Sequence, residues 1–177
     1  LKRKALLDLG GYTMTEQIIR RLRLSETIDE IVLCTSINEQ DKILLDKSKD
    51  WKVKCFRGSE NDILSRLIEV SKIYEGEVIL RITGDNPFTD SKNIDRIVKH
   101  HIKTSADYTR TSNLPLGVTA EAYSSSFLEK LSNDYPGSQT GYMSFFAFNP
   151  EKYHCEILDP LDFENRPFYS LTIDYPE

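Results

Sequence analysis

Short apolar runs alternate, through the first half of the chain, with stretches whose apolar residues recur at helical spacing. The runs at 28–35 and 77–82 are rich in β-branched residues, and they and the short run at 53–56 predict strands. Each of the three runs precedes an amphipathic pattern that predicts a helix. Another helix is predicted to begin at Thr13, where Glu16 completes a capping box. This alternation indicates βαβ units, so we expect an α/β fold with a mostly parallel sheet.

The regular alternation of predicted strands and helices ends at about residue 107. Short strands are predicted at 108–111, 118–123 and 168–173, and a helix is predicted after the serines at 124–126. The aromatic-rich stretch 137–149 fits either a helix or a strand. Hairpin-like strands beside parallel ones predict a mixed sheet. We treat 1–177 as one domain in which 107–167 is the substrate-side portion and a candidate dimer contact, although core packing is favoured for the aromatics at 142–148.

The run at 77–82 stops at Gly84, Asp85, Asn86 and Pro87, which places Asp85 at the carboxyl end of a strand, where open α/β sheets bind ligands. The run at 168–173 ends in the same way at Asp174. Two such carboxylates in one sheet fit a shared divalent metal, since Mg²⁺ takes one or two carboxylates and completes its shell with water and phosphates. The alternative is that both are ordinary turn residues.

Polar groups follow the other two strands at the same predicted edge. Thr35 and Ser36 follow one strand, Arg57 follows the next, and Ser65 with Arg66 lies on the first turns of the helix beyond. Backbone amides at a helix start and an arginine favour phosphate. The alternative is a capped helix with a surface arginine. The arginines at 20, 21 and 23 are interpreted as a solvated helix face.

Composition narrows the class of protein. The net charge of −5 argues against a dedicated nucleic-acid binder, and no apolar run is long enough to span a membrane. The three cysteines lack zinc-type spacing and are interpreted as buried, reduced thiols of a cytoplasmic protein, while the three histidines are interpreted as structural or solvent-facing.

Five blocks of sequence occur in a characteristic order: KALLDLGG at 4–11, IDEIVLCTS at 28–36, FRGSENDILSR at 56–66, RITGDNP at 81–87 and LTIDYPE at 171–177. In that order they resemble the blocks of the acylneuraminate cytidylyltransferase family, particularly its spore-coat polysaccharide branch. The resemblance implies a Rossmann-like three-layer nucleotidyltransferase fold and transfer of CMP from CTP to a sugar, often an acidic one, with release of pyrophosphate. The implied cofactor is Mg²⁺, and the implied partners are CTP and the sugar, with a homodimer as a further candidate.

The same resemblance assigns roles to individual residues. Asp85 and Asp174 would hold the metal, and Asp85 and Lys4 would be catalytic, with Lys4 facing the phosphates. The residues near the nucleotide would be Lys4, Thr35, Ser36, Arg57, Ser65 and Arg66. Asn86 and Glu121 would contact the sugar.

Departures from the family pattern leave alternatives open. Members usually open with a strand and an arginine- and glycine-bearing loop, and this sequence begins at the last residues of that loop, with Arg3 in place of a glycine. We therefore expect further residues upstream and weaker CTP binding without them. Thr119 replaces a frequent aspartate, and Thr140 with Gly141 replaces a Glu-His pair. A glycosyltransferase or other sugar-nucleotide enzyme of this fold, or a non-catalytic module, remains an alternative.

Overall fold

The computed structural model describes residues 4–136 and 143–173. Its helices are α1 (Met14–Leu22), α2 (Lys42–Asp50), α3 (Ile63–Ile73), α4 (Ser91–Thr104), α5 (Ser125–Asp134) and α6 (Met143–Ala147). Its strands are β1 (Val32–Ser36), β2 (Lys54–Gly58), β3 (Val78–Arg81), β4 (Tyr108–Thr111), β5 (Glu121–Ser124) and β6 (Cys155–Leu158). Short 3-10 turns cover Lys4–Leu6 and Glu39–Asp41. Arg3, Thr140, Gly141 and Asp174 lie outside the described residues.

The strands form two sheets within the described part of the chain. β1 and β2 pair in parallel, and the second sheet has the order β3-β5-β4-β6. In that sheet β5 runs antiparallel to both of its neighbours, while β4 and β6 are parallel. The predicted mixed α/β architecture is confirmed. Because β5 is reversed, its first residue, Glu121, lies at the edge where β3 and β4 end.

Two hydrophobic clusters on opposite faces make the fold three-layered. On one face Tyr108 and Tyr123 pack with residues of α3, α5 and α6, including Phe127 and Leu131. On the other face Ala122 and its neighbours pack against α1 and α4. The side chains of a strand alternate between faces, so β3 and β5 each contribute to both clusters.

The helix starts follow local capping chemistry. The Thr13 hydroxyl accepts a hydrogen bond from the Glu16 amide at the start of α1, as the capping box predicts. Ser124, one of the three candidate serines, caps α5 by accepting from the Phe127 amide. The residue that caps α3 is Asp62, whose carboxylate accepts from the Ser65 amide.

Three predictions about the elements were wrong or incomplete. The stretch 168–173 forms a single bridge between Leu116 and Ser170 instead of a strand, because its backbone bonds are made to a loop. The strand β6 was missed, since its short polar-apolar sequence is a weak signal. The α1 arginines are not simply solvated, because Arg21 donates to the Thr89 carbonyl at 2.7 Å and Arg23 donates to the Trp51 carbonyl.

Other expectations hold in full or in part. All three cysteines are free thiols, but each is of intermediate burial and not buried as predicted. His101 is buried on the inner side of α4. The aromatic stretch is helical over Met143–Ala147. Phe146 and Phe148 pack against the core, whereas Phe145 is 81% exposed. None of the helices in the described ranges is long and apolar enough to cross a bilayer.

Candidate active site

The Lys4 ammonium lies 3.4 Å from the Asp85 carboxylate. Lys4 lies in the first 3-10 turn. Asp85 lies in the loop after β3, where Pro87 prevents the strand from continuing. Both side chains are only partly exposed, 26% for Lys4 and 33% for Asp85, so the pair lines the surface without being sealed from it. The two residues that the sequence assigned to catalysis therefore meet, and a phosphate or cation can reach them.

The chain near its last described residue runs beside Asp85. The Ile173 amide donates to the Asp85 carbonyl at 3.2 Å, so the residue that precedes Asp174 in sequence is bonded to Asp85. The predicted metal site required Asp85 and Asp174 each to follow a strand. In the structure the segment at 168–173 forms a single bridge instead of the second strand, and its Ile173 still reaches the loop that contains Asp85.

Backbone hydrogen bonds between Leu116 and the segment at 169–171 fix that segment, and we call this arrangement the loop clamp. The Leu116 amide donates to the Tyr169 carbonyl at 2.9 Å, and the Leu171 amide donates to the Leu116 carbonyl at 2.7 Å. Gly117 follows, with φ +98°, and a Cβ built there would lie 2.6 Å from the Thr172 backbone nitrogen. A side chain does not fit at Gly117 without moving the segment that leads to Asp85.

Arg57 and Ser36 lie at the carboxyl ends of β2 and β1, as predicted. The Arg57 guanidinium donates to the carbonyl oxygens of Ser36, Ile37 and Asn38 at 3.1, 2.8 and 2.8 Å. The Ser36 hydroxyl donates to Asp41 and accepts from the Asn38 amide. In this conformation both side chains fix the loop after β1.

Arg66 packs against the end of β2, with its Cγ 2.7 Å from the position of a Cβ at Gly58. Its Nε is buried and makes no hydrogen bond to the described residues. The Ser65 hydroxyl is already used at the start of α3, where it donates to the Asp62 carbonyl. Thr35 is buried beside them in β1. The structure therefore brings the predicted nucleotide residues together around the β1 and β2 ends, while Lys4 and Asp85 lie by β3.

The predicted sugar contacts, Asn86 and Glu121, differ in setting. Asn86 follows Asp85 and is buried, and its carbonyl accepts from both the amide and the hydroxyl of Thr89. Glu121 lies across from Arg81 in the β3–β5 ladder. The two residues do not lie on the same element, and their role in sugar binding stays a prediction.

Glu121 is the centre of a network that the sequence did not indicate. Its Oε2 accepts from Arg81 at 2.8 Å and from the Tyr123 hydroxyl at 2.9 Å, and its Oε1 accepts from the Tyr108 hydroxyl at 2.6 Å. Burial, followed by the Glu121 charge, raises the pKa of both tyrosines, so they remain protonated donors. The available signal was a charged residue in an otherwise apolar strand, which Arg81 provides.

Comparison with known proteins places these features in a family. The family model described as cytidylyltransferase matches residues 1–169. A spore coat polysaccharide biosynthesis protein, SpsF of Bacillus subtilis, is 32% identical over 184 residues, covering 98% of this chain and 75% of that protein. An uncharacterised protein of Methanocaldococcus jannaschii is 36% identical over 176 residues, covering 98% of this chain and 72% of that protein.

Solved structures agree with the fold. A cytidylyltransferase from Leptospira borgpetersenii superposes with a TM-score of 0.88 at 27% identity, covering 97% of this chain and 74% of that chain. A synthetase of CMP-2-keto-3-deoxy-manno-octonic acid, solved with CTP, superposes with a TM-score of 0.71 at 12% identity, over 90% of this chain and 84% of that one. The predicted nucleotidyltransferase fold is confirmed.

Proposed function

The chain belongs to the cytidylyltransferase family, a family of nucleotidyltransferase enzymes, and on that premise we propose that it transfers CMP from CTP to an acidic sugar. The acceptor would serve the synthesis of a surface polysaccharide, as the name of the SpsF relative suggests. The observation that carries the proposal is the 3.4 Å contact between Lys4 and Asp85 at the end of β3. It places a cation and a carboxylate together, as a triphosphate and its metal require.

The chemistry needs positioning and charge more than covalent catalysis. A sugar hydroxyl oxygen forms a bond to the α-phosphorus, the bond to the bridging oxygen breaks, pyrophosphate leaves, and the hydroxyl proton passes to solvent. We propose that the Lys4 ammonium offsets the negative charge of the phosphates during this step. Arg57 acts indirectly, by holding the loop after β1 with three hydrogen bonds to carbonyl oxygens.

The Asp85 site fits a magnesium ion. Its carboxylate is a hard oxygen donor that remains partly exposed, and one or two carboxylates suffice when phosphates and water supply the other ligands. We propose Asp85 as one ligand and Asp174 as a second, which the bond from Ile173 to Asp85 supports. The ion would neutralise charge on the phosphate oxygens. The described residues contain no group of three or more acidic, histidine or cysteine side chains suited to a metal.

The test is pyrophosphate release from CTP and Mg²⁺ with a panel of acidic and neutral sugars. We expect release with an acidic sugar, and we expect Asp85→Asn to abolish it while leaving the thermal midpoint close to that of the wild type. Asp8→Asn is the matched control, since Asp8 is exposed and caps only the turn at Gly11. Full activity of Asp85→Asn would overturn the metal assignment, and release only with neutral sugars would overturn the acidic acceptor.

We also propose that the enzyme is cytoplasmic, where CTP is available, and that fractionation of cells will recover it with soluble proteins. A homodimer stays a prediction, and the molar mass measured by light scattering after size exclusion would test it.

A further inference from the structure

The start of α1 holds the segment that carries Lys4. The Thr15 hydroxyl, in the first turn of the helix, donates to the Ala5 carbonyl at 2.9 Å, and Ala5 follows Lys4 directly in the 3-10 turn. The Met14 amide donates to the Leu7 carbonyl at 2.9 Å, just after that turn. Thr15 is only 6% exposed, and a buried hydroxyl needs a partner within the protein. This hydroxyl finds its partner on the backbone beside Lys4.

The other end of α1 holds the loop that carries Asp85. The Arg21 Nε, in the last turn of the helix, donates to the Thr89 carbonyl at 2.7 Å. Thr89 is fully buried, and its amide and its hydroxyl both donate to the Asn86 carbonyl, at 3.2 and 2.8 Å. Asn86 is the residue after Asp85. Arg21 therefore bonds to a turn that closes on the neighbour of Asp85.

The helix between these two bonds is well fixed in the fold. Ile18 and Leu22 are buried in the same hydrophobic cluster as Ile94 and Ile97 of α4. An α-helix rises about 1.5 Å per residue, so the six positions between the two bonding side chains correspond to about 9 Å along the axis. A packed helix holds that length, and it therefore offers a fixed spacer between the two segments.

The contact between Lys4 and Asp85 does not supply this positioning itself. The two side chains are 26% and 33% exposed, and an ion pair with that exposure contributes little to the free energy of folding. The lysine side chain is also flexible and carries its charge on a point-like ammonium. Other contacts must therefore fix the two backbones, and the bonds at the ends of α1 reach both of them.

We propose that α1 sets the separation of Lys4 and Asp85 and that Thr15 and Arg21 are positioning residues, an inference that rests on the proposed function. Thr15 acts on the reaction through Lys4, and Arg21 acts through Asp85. A displacement of about 1 Å in an active site lowers a rate about 100-fold. We expect the loss of one of these bonds to move its segment by less than that, and so to lower the rate at fixed CTP and Mg²⁺ about tenfold.

The first test changes the bond at the start of the helix. Thr15→Val keeps the branched shape of the side chain and removes the donor. We expect kcat for pyrophosphate release to fall about tenfold while the KM for CTP changes by less than about twofold, at a temperature where every variant is folded. Thr15→Ser keeps the hydroxyl and should restore most of kcat. Thr104→Val is the matched control, because the Thr104 hydroxyl also donates to a carbonyl at 2.9 Å, that of His100 in α4.

A double variant shows whether Thr15 acts through Lys4. In a Lys4→Met background, Thr15→Val should change kcat by less than about twofold, since no ammonium remains to be positioned. A purely structural effect of Thr15→Val would instead lower kcat by the same factor in both backgrounds. A tenfold loss that persists without the Lys4 ammonium would overturn the role of Thr15.

The second test changes the bond at the end of the helix. Arg21→Met keeps a long apolar side chain and removes the donor. We expect the Mg²⁺ concentration that supports half-maximal activity to rise about tenfold, while kcat at saturating Mg²⁺ stays within about twofold of the wild type. Arg21→Lys should restore part of the Mg²⁺ affinity, because an ammonium also donates to a carbonyl.

Arg23→Met is the matched control for Arg21→Met. Arg23 directly follows α1 and also donates to a carbonyl, but that of Trp51, which lies after α2. Arg23→Met should leave the Mg²⁺ dependence unchanged. An equal Mg²⁺ dependence of the two variants would overturn the role of Arg21.

Amide hydrogen exchange gives a readout that does not depend on activity. Thr15→Val should speed the exchange of the Leu7 amide, which donates to the Lys4 carbonyl at 3.1 Å, about tenfold. Arg21→Met should do the same for the Thr89 amide, whereas the amides within α1 should exchange as in the wild type. Unchanged exchange at either amide would overturn the bond as an anchor at that end of the helix.

The outcomes separate this inference from the proposed function. Faster exchange in the two variants, with a wild type that releases no pyrophosphate, would keep α1 as the element that holds both segments and would overturn the transferase. Pyrophosphate release by the wild type, with unchanged kinetics in Thr15→Val and Arg21→Met, would keep the transferase and overturn the positioning by α1.

Discussion

The Lys4 ammonium and the Asp85 carboxylate lie 3.4 Å apart although 81 positions separate them in the chain. A partly exposed ion pair contributes less than about 1 kcal/mol to stability, so folding gains little from this contact. Its value is the placement of one positive and one negative group where a phosphate and its counter-ion bind. This contact motivates the first prediction.

Replacing Lys4 with methionine should lower kcat about 100-fold and lower stability by less than about 1 kcal/mol, because it removes charge stabilisation without removing packing. Pyrophosphate release and the thermal midpoint measure the two effects. Lys47→Met is the control, since Lys47 pairs with Asp50 at 3.1 Å on an exposed helix surface. Equal activity of the two variants would contradict a role for Lys4 in the reaction.

Gly117→Ala should impair activity through the segment that it displaces. The added Cβ would meet the Thr172 nitrogen at 2.6 Å, and the next residue, Ile173, bonds to Asp85. We expect the Mg²⁺ concentration that supports half-maximal activity to rise about tenfold, in addition to a loss of about 1–3 kcal/mol of stability from backbone strain.

Gly11→Ala is the control for that variant, since Gly11 also has a positive φ, +89°, but open space at the Cβ position. Gly11→Ala should lose stability through backbone strain without a change in the Mg²⁺ concentration that supports half-maximal activity. An unchanged requirement in Gly117→Ala would mean that the clamp does not position the Asp85 site.

Arg96→Gln should release the loop at 159–167 from α4. Arg96 donates to the Glu164 carboxylate and to the Asp159 carbonyl, both at 2.6 Å, and Glu164 is only 7% exposed. Loss of a charged partner by a buried carboxylate costs about 1–3 kcal/mol, which urea unfolding would measure. Lys99→Gln, which removes an exposed pair at 3.7 Å, should change stability by less than about 0.5 kcal/mol. If Arg96→Gln lowered stability by no more than Lys99→Gln does, the ion pair would not anchor the loop.

Stability should fall in mild acid because of His101. Burial, the largest effect, lowers the pKa of His101 below its ordinary value of 6.5, and the nearby Asp107 only partly opposes this. The unfolded chain therefore binds this proton more readily, so the stabilisation is complete above about pH 6.5 and is lost as the pH falls through the folded pKa.

Urea midpoints between pH 8 and pH 5 measure this loss. His101→Asn should flatten the decline, and above about pH 6.5 it should lower stability by about 1 kcal/mol, because the 2.8 Å bond to Thr109 is weakened. His154→Asn should keep most of the decline, since burial lowers the pKa of His101 more than the nearby His154 does. An unchanged slope in His101→Asn would show that another group titrates.

Local chemistry was readable from the sequence because it depends on neighbouring residues. The capping box at Thr13, the serine cap of α5 and the buried face of α4 all follow from short-range spacing. The predicted site residues at 35, 36, 57 and 85 also lie at strand ends, because the boundary between an apolar run and polar residues is local information.

Tertiary structure alone decided which of those ends meet and what each side chain does there. It reversed β5, and so placed Glu121 between Arg81 and Arg110, because strand direction depends on partners far apart in sequence. It replaced the expected strand at 168–173 with a segment clamped by Leu116, since the backbone donors of that segment found acceptors in a loop. The sequence thus determined that Asp85 follows a strand, whereas the fold determined that Lys4 and Ile173 meet it. Such contacts depend on long-range packing and hydrogen bonds that no local pattern encodes.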